Sequence, residues 1–294
     1  MAGKLPSLKA KAVIYENSSD DDNDDNKNTG NDNLGLSLEK HDDNDDNKDK
    51  GNDNLDLSLE KLNLCPRKKL LVLGLNGLLV HRVHSRYGVR TNVPIDHHPD
   101  GIAGNFLVFN RPYCSAFLEF CFERFEVGIW SSAREWNIDG VLSTITSGLK
   151  DKVLFVWDQE QCTDSGFKSL DNKNKPIFFK ELGKLWKGFN LPWPRRQYSS
   201  SNTLLIEEEP CKALLNPPNT AIFPDSYEVG NDNDTVLGPE GELREFLNGL
   251  ADADNVQSYV KENRVGQPAI TEAHPEWAYY SKIVHKFVKR RDEE

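Results

Sequence analysis

The sequence predicts an α/β fold of three layers over residues 62–265, with a mainly parallel central sheet and helices on both of its faces. From Leu62 onward, short apolar runs alternate with segments of helical periodicity, which is typical of strand–helix–strand units. The chain has 294 residues and 37% hydrophobic content, so it is long enough for such a domain but too polar to be folded throughout.

The elements follow from local patterns in chain order. The first predicted strand is a continuous apolar run, as expected of a strand buried on both faces. Pro112 suits the first turn of the first predicted helix. The predicted strands are Lys69–Leu75, Asn105–Phe109, Glu126–Trp130, Val153–Trp157, Thr203–Ile206 and Thr220–Phe223. The predicted helices are Pro112–Phe125, Ala133–Ser147, Phe178–Trp186, Glu242–Leu250, Val256–Glu262 and Pro275–Lys289.

Two segments do not fit the strand–helix alternation. Residues 82–110 contain Gly, Pro and His before a final apolar run, and we interpret them as a small insertion directly after the first strand. Residues 266–294 are predicted to form a C-terminal helical extension.

The acidity of the chain lies mainly in its first 61 residues. They hold 16 Asp and Glu against 8 Lys, a net charge of −8, which leaves −3 of the total −11 for residues 62–294. Residues 21–40 recur almost unchanged at 42–61, and such Asp- and Asn-rich sequence buries too little apolar surface to offset its chain entropy. We therefore predict a disordered tail with a tandem repeat.

Each copy of the repeat ends in three alternating leucines. The pattern resembles the short leucine motifs by which plant transcription regulators recruit co-repressors, and alternate leucines on an extended segment would fill pockets of a partner. The alternative is that the second copy is only the approach to the first strand, copied upstream by the duplication. The leucines are Leu34, Leu36 and Leu38 in one copy and Leu55, Leu57 and Leu59 in the other.

Charge and cysteine usage exclude several classes of protein. A near-neutral domain without clustered Lys and Arg argues against a protein that coats nucleic acid. The longest apolar run, Leu70–Val80, is much shorter than the ~20 residues of a membrane span. Five widely spaced cysteines without a C-x-x-C pair favour reduced thiols, and so the nucleus or the cytosol, with the mitochondrion as the alternative.

Four motifs in order carry a family resemblance. Residues 70–80 read LLVLGLNGLLV, residues 111–133 read RPYCSAFLEFCFERFEVGIWSSA, Lys180 lies in FFKEL, and residues 202–224 read NTLLIEEEPCKALLNPPNTAIFP. This set resembles the motifs of the haloacid-dehalogenase (HAD) superfamily, in its branch of small C-terminal-domain phosphatases and NLI-interacting-factor-like proteins. The same domain type occurs in the receptor subunit of the mitochondrial presequence translocase.

The resemblance implies a Rossmann-like HAD fold and a two-step phosphatase mechanism. In the family, a first Asp attacks phosphorus and forms a phospho-aspartate, and a second Asp protonates the leaving oxygen and later activates water. A Ser or Thr of the second motif and a Lys of the third hold the phosphoryl oxygens, and acids of the fourth motif help to bind Mg²⁺.

This sequence departs from the family at the two catalytic positions. Gly74 stands where the nucleophile is expected, and Asn76 stands where the acid/base Asp is expected. Loss of a covalent nucleophile costs on the order of 10⁶ in rate in a comparable catalytic unit. Glu207 and Glu208 stand at the fourth-motif positions as weak metal candidates, because an extra methylene misplaces each carboxylate for the strict geometry of Mg²⁺.

Three phosphate-binding candidates remain. Ser131 can donate from its hydroxyl, Lys180 supplies a positive charge, and backbone N–H groups lie near Gly77. Their alternative roles are ordinary ones: a hydroxyl that caps the next helix for Ser131, and a surface lysine beside Glu181 for Lys180.

The sequence therefore predicts a catalytically impaired phosphatase-like domain that acts as a protein-binding or regulatory module. Its partners would be phosphorylated or acidic protein segments, and any Mg²⁺ binding would be weak or lost. The alternatives are a weak Mg²⁺-dependent protein phosphatase with Glu207 or Glu208 as nucleophile, a subunit of the mitochondrial presequence import machinery, and a diverged duplicate with little function of its own.

Overall fold

The computed structural model describes residues 67–85, 93–94, 96–146, 148–188 and 191–293. The predicted tail at residues 1–61, with its repeat and both leucine segments, lies outside these residues. The strands are β1 (Leu70–Leu73), β2 (Val80–His84), β3 (Gly101–Ala103), β4 (Phe106–Asn110), β5 (Glu126–Trp130), β6 (Val153–Trp157), β7 (Thr163–Lys168), β8 (Pro176–Phe179), β9 (Thr203–Ile206) and β10 (Ala221–Ile222). The helices are α1 (Cys114–Arg124), α2 (Glu135–Ile145), α3 (Gly183–Lys187), α4 (Glu242–Asp252), α5 (Val256–Glu262) and α6 (Trp277–Glu293).

A five-stranded parallel sheet forms the centre of the domain. Its strand order is β10-β9-β1-β5-β6, so β1 lies in the middle with β9 on one side and β5 on the other. All four residues of β1 are buried, because helices and loops cover both faces. This arrangement confirms the predicted three-layer α/β fold.

The two faces of the sheet carry separate hydrophobic cores. Leu71 and Leu73 of β1 point to the larger core, which α1, α2, α4 and α5 cover. Leu70 and Val72 alternate to the other face, where they pack with α3 and with Trp193 and Tyr198 of the following segment. In the described part of the chain, no helix is both long and apolar enough to span a bilayer.

Two small antiparallel sheets flank the central one. The insertion after β1 forms a three-stranded sheet, in the order β2-β4-β3, whose strand β3 packs against α2. The strands β7 and β8 form a hairpin, and α6 packs over it. This third core consists of Ile177 and Phe179 from β8 and Tyr280, Ile283 and Phe287 from α6.

Three strands of the central sheet have the predicted bounds, and other elements correct the prediction. The segment Asn105–Phe109 is a strand, but it pairs within the insertion and not with the central sheet. The segment Phe178–Trp186 was expected to be one helix, yet its first two residues belong to β8 and the helix begins at Gly183. Pairing with β7 and burial beneath α6 outweigh the helical preference of this short apolar run.

Candidate functional site

The carboxyl ends of three neighbouring strands bring the predicted motif positions together. Leu73, the last residue of β1, is in register with Ile206 at the end of β9 and with Ile129 in β5. The backbone N–H of Gly74 donates to the carbonyl oxygen of Ile206 at 2.9 Å. Gly74 and Glu207 therefore leave the sheet side by side, at the edge where ligands bind in open α/β sheets.

The carboxylate of Glu207 reaches the space that a side chain at position 74 would enter. A Cβ placed on Gly74 would lie 3.1 Å from Oε2 of Glu207 and 3.4 Å from the carbonyl oxygen of Ile206. Contacts this close leave little room, and an added side chain would force Glu207 to move. Position 74, where the nucleophile was expected, thus has no side chain, and the carboxylate of Glu207 lies next to it.

Two buried lysines neutralise Glu207. The ammonium group of Lys180 forms a direct ion pair with Oε2, and the ammonium group of Lys212 donates to Oε1 at 2.8 Å. The side chains of Glu207 and Lys180 are 0% and 1% exposed, so water does not screen the pair. Lys180, the predicted phosphate ligand, is consequently bound to a carboxylate of its own chain.

Local structure brings Lys212 to this position. A 3₁₀ turn at Pro210–Ala213 follows the three glutamates and folds Lys212 back over them. Its ammonium group lies 3.0 Å from Glu208 Oε1 and 3.3 Å from Glu209 Oε2. The backbone N–H of Lys180 donates to the carbonyl oxygen of Lys212 at 2.9 Å, which joins the two lysine-bearing segments.

We call the six residues Lys175, Lys180, Lys212, Glu207, Glu208 and Glu209 the charge cluster. Lys175 completes it through an ion pair with Glu209. Three ammonium groups face three carboxyl groups, and each ammonium group lies within ion-pair distance of at least one carboxyl oxygen of the cluster. A phosphate group approaching the cluster would therefore have to compete with a carboxyl group for each of these ammonium groups.

Burial and neighbouring charges shift the pKa values of the cluster in opposite directions. Burial alone would raise the pKa of Glu207, but Lys180 and Lys212 outweigh it and hold that pKa well below its usual range. Burial, and then the negative charge of Glu207, raises the pKa of Glu208 to about 8. Oε2 of Glu208 is buried and has no hydrogen-bond partner among the described residues. Burial by itself lowers the pKa of Lys212, but the three carboxylates raise it well above its usual value.

The other degenerate position, Asn76, supports the turn after β1. Its Oδ1 accepts the backbone N–H of Arg82 at 3.0 Å, which ties the turn to β2. Gly77 has a φ of 79°, and a Cβ there would lie 2.5 Å from Ser226 Oγ and 2.7 Å from Glu208 Cγ. The turn therefore requires glycine at 77, and Asn76 serves there as a hydrogen-bond acceptor.

The three predicted phosphate donors all have partners within the chain. The hydroxyl oxygen of Ser131 accepts the backbone N–H of Ala133 at 3.1 Å, so Ser131 caps the turn that leads to α2. The backbone N–H of Gly77 donates to the carbonyl oxygen of Val80 at 2.7 Å. Lys180 is paired with Glu207, as described. Phosphate binding by these residues stays a prediction. Lys180 and the N–H of Gly77 would have to share or give up their present acceptors, whereas Ser131 accepts in its contact and keeps its O–H hydrogen for donation.

Phosphatases of the HAD superfamily, which the four motifs resemble, generally use Mg²⁺. The residues at these strand ends do not fit that ion. Mg²⁺ requires near-octahedral oxygen ligands at about 2.0–2.1 Å. Position 74 offers no side chain, both carboxylate oxygens of Glu207 are bound to ammonium groups, and Asn76 Oδ1 is bound to Arg82. In the described ranges, no group of three or more His, Cys, Asp or Glu side chains is arranged to hold a metal ion.

The structure adds residues that the sequence analysis did not single out. Besides Lys212, the guanidinium of Arg111 is fully buried and donates to both carboxylate oxygens of Asp234, at 2.8–3.1 Å. It also donates to the carbonyl oxygens of Leu78 and Asp225, at 3.3 and 3.2 Å. Arg111 thus joins the turn after β1 to the loop after β10. Lys212 lies four residues after Glu208 and three after Glu209, a spacing from which their ion pairs could have been predicted. Arg111 and Asp234 are far apart in the sequence, so no local pattern indicated their ion pair.

The fold and the motif order define an α/β domain of the phosphatase type, and comparison with known proteins identifies the family. The family model described as NLI interacting factor-like phosphatase matches residues 69–257, well over half of the chain. The chain belongs to this family, a branch of the HAD superfamily, as its motifs predicted.

Individual relatives are distant. An uncharacterised FCP1 homology domain-containing protein of Schizosaccharomyces pombe is 23% identical over 199 residues, which cover 66% of this chain and 75% of the relative. Two solved structures are also similar: one of the fission yeast RNA polymerase II CTD phosphatase Fcp1 bound to beryllium fluoride, and one described as Fcp1, an essential RNA polymerase II CTD phosphatase. Each is 16% identical with a TM-score of 0.36, and each match covers 81% of this chain and 67% of the other.

Proposed function

We propose that this chain is a catalytically silent member of the phosphatase family and acts as a protein-binding or regulatory module. The observation that carries the proposal is the pairing of Glu207 with Lys180 beside Gly74. The usual nucleophile is missing, and the lysine that would hold a phosphoryl group is already neutralised by a buried carboxylate.

The structure gives little support to Glu207 or Glu208 as a substitute nucleophile. Attack on phosphorus requires a carboxylate oxygen with a free lone pair and a path to substrate. Glu207 is fully buried with each oxygen on an ammonium group, and breaking such an ion pair in a buried site is expensive. Glu208 has one unpartnered oxygen, but burial favours its protonated form, which is not nucleophilic.

A phosphatase assay tests whether the site lacks catalytic activity. With p-nitrophenyl phosphate and Mg²⁺, we expect no turnover above the buffer rate. Mg²⁺-dependent turnover that disappears in a Lys180→Arg variant with an unchanged circular dichroism spectrum would contradict the proposal, because it would assign hydrolysis to this pocket.

Restoration of the motif tests whether the substitutions are the cause. The variant must combine Gly74→Asp and Asn76→Asp with Glu207→Asp, because a Cβ at 74 meets the longer Glu207 side chain at 3.1 Å. We expect turnover to appear in this triple variant. The matched control carries Gly74→Asn with the other two changes, has nearly the same shape and lacks the nucleophile. Equal rates in the two variants would show that other parts of the pocket have also been lost.

We further propose that the protein acts in the nucleus or the cytosol on acidic or phosphorylated protein segments. The cysteines Cys114, Cys121, Cys162 and Cys211 are free thiols, and three of them are buried, which suits a reducing compartment. A fluorescent fusion examined by microscopy tests the compartment. Accumulation in mitochondria would contradict it and would favour the presequence-import alternative.

A further inference from the structure

An open groove beside α3 has the size and chemistry of a peptide-binding surface. It has a volume of about 680 Å³, within the range of ligand pockets, and lies between α3 and the turn at residues 215–217. We propose that this groove binds an acidic partner segment in which carboxylates flank an apolar side chain. The inference rests on the proposed function as a protein-binding module and assigns it a surface away from the charge cluster.

Positive charge predominates in the lining of the groove, which contains two lysines and one acid, Glu181, whose Oε1 accepts the hydroxyl of Thr163. Lys184 and Lys187 are three residues apart on α3, so they share one side of the helix. The ammonium group of Lys184 donates to the carbonyl oxygen of Gln161 at 2.8 Å, and Lys187 is exposed. In the part of the chain that the structure describes, neither ammonium group forms an ion pair with a carboxylate.

The remaining lining is largely apolar. Trp186, Leu215 and Pro217 contribute to it, and Trp186 and Leu215 are half-buried. The indole N–H of Trp186 donates to Thr203 Oγ1 at 3.0 Å, so its polar atom is satisfied within the domain. The exposed ring surface can therefore pack against an apolar side chain without leaving a buried donor unpaired.

The groove is held open by contacts between its two walls. Asn216, on the turn, accepts the backbone N–H of Leu182 at 2.9 Å and donates to the carbonyl oxygen of Lys180 at 2.8 Å. These bonds fix the turn to the start of α3, so a ligand would not have to order either wall. Preorganisation of this kind reduces the entropic cost of binding.

Charge complementarity selects the occupant. With two ammonium groups against the single carboxylate of Glu181, the lining carries a net positive charge that attracts carboxylates and repels basic segments. Its apolar part favours a side chain such as leucine between the acids. Residues 62–294 as a whole carry a net charge of −3, so the positive charge of the groove is confined to this surface.

Fluorescence anisotropy with the full chain tests the assignment. The probe is a fluorescein-labelled peptide in which leucine alternates with aspartate, and the reference peptides replace each aspartate with serine, phosphoserine or lysine. We expect the aspartate peptide to bind, with an affinity that falls as salt rises. Combined Lys184→Ala and Lys187→Ala substitutions should weaken binding about tenfold, the effect of two moderate ion pairs.

A matched pair of exposed lysines provides the control. Lys261→Ala with Lys282→Ala removes the same charge elsewhere and should leave the affinity unchanged. Because Lys184 also bonds to Gln161, the single variant Lys187→Ala is measured as well and should weaken binding about threefold.

Three results would overturn the groove assignment: unchanged affinity in the Lys187→Ala variant, equal binding of the serine peptide, or binding of the phosphoserine peptide alone. None of these would bear on catalytic silence, which only phosphatase turnover contradicts.

Discussion

Removal of the charge of Glu207 should destabilise the domain strongly. In a Glu207→Gln variant the side chain keeps its shape, but Lys180 and Lys212 lose their shared counter-ion. Their side chains are only 1% and 8% exposed, so water cannot replace it. Loss of one partner of a buried ion pair costs about 3–5 kcal/mol.

Urea unfolding with linear extrapolation measures this loss. The matched control is Glu123→Gln, the same substitution in an ion pair with Arg124 where the glutamate is 71% exposed. That change should cost no more than about 0.5 kcal/mol, because exposed pairs contribute little. Addition of Lys180→Met to Glu207→Gln should cost less than the two single changes together, since one unpaired charge is removed. A loss below about 1 kcal/mol in Glu207→Gln would refute the view that the cluster is a buried, mutually neutralised unit.

Three further predictions concern pH, the buried ion pair of Arg111 with Asp234 and the C-terminal helix. Because the folded state raises the pKa of Glu208 from 4.5 to about 8, the folded domain keeps a proton that the unfolded chain releases, and stability should fall as pH rises between these values. Melting temperatures across this range should show the fall, and Glu208→Gln should flatten it; an equal slope in that variant would count against Glu208 as the cause. Asp234→Asn leaves the buried Arg111 without its counter-ion and should cost about 3–5 kcal/mol in urea unfolding, whereas a cost near zero would mean that the carbonyl contacts suffice. Ile283→Ala, at a fully buried position of α6, should cost about 2–5 kcal/mol and speed proteolysis of the β7–β8 hairpin; unchanged cleavage there would show that α6 does not hold the hairpin.

Much of the central sheet was predictable because its strands are short apolar runs. Val153–Trp157 and Thr203–Ile206 are short apolar runs that need no long-range information to be recognised. The strand β7, with the sequence TDSGFK, carries no such pattern and exists because it pairs with β8. The same pairing draws Phe178 and Phe179 out of the predicted helix.

At the site, the sequence identified the positions, and the structure supplied their partners. Ser131, Lys180 and Gly77 were expected to face a phosphate, but each has an internal contact that a motif does not reveal. The partner of Lys180 is a residue 27 positions away along the chain, and it becomes a neighbour only where β8 and β9 end close together.

The sequence alone determined what chemistry is missing, because an absent carboxylate at Gly74 and a carboxamide at Asn76 are covalent facts that no fold can change. It also determined the family and the α/β architecture, which depend on local apolar runs and motif order. Only the tertiary structure decided what the remaining charged residues do. Opposite charges buried together must pair, so Glu207, left beside an empty position, is neutralised by Lys180 and Lys212.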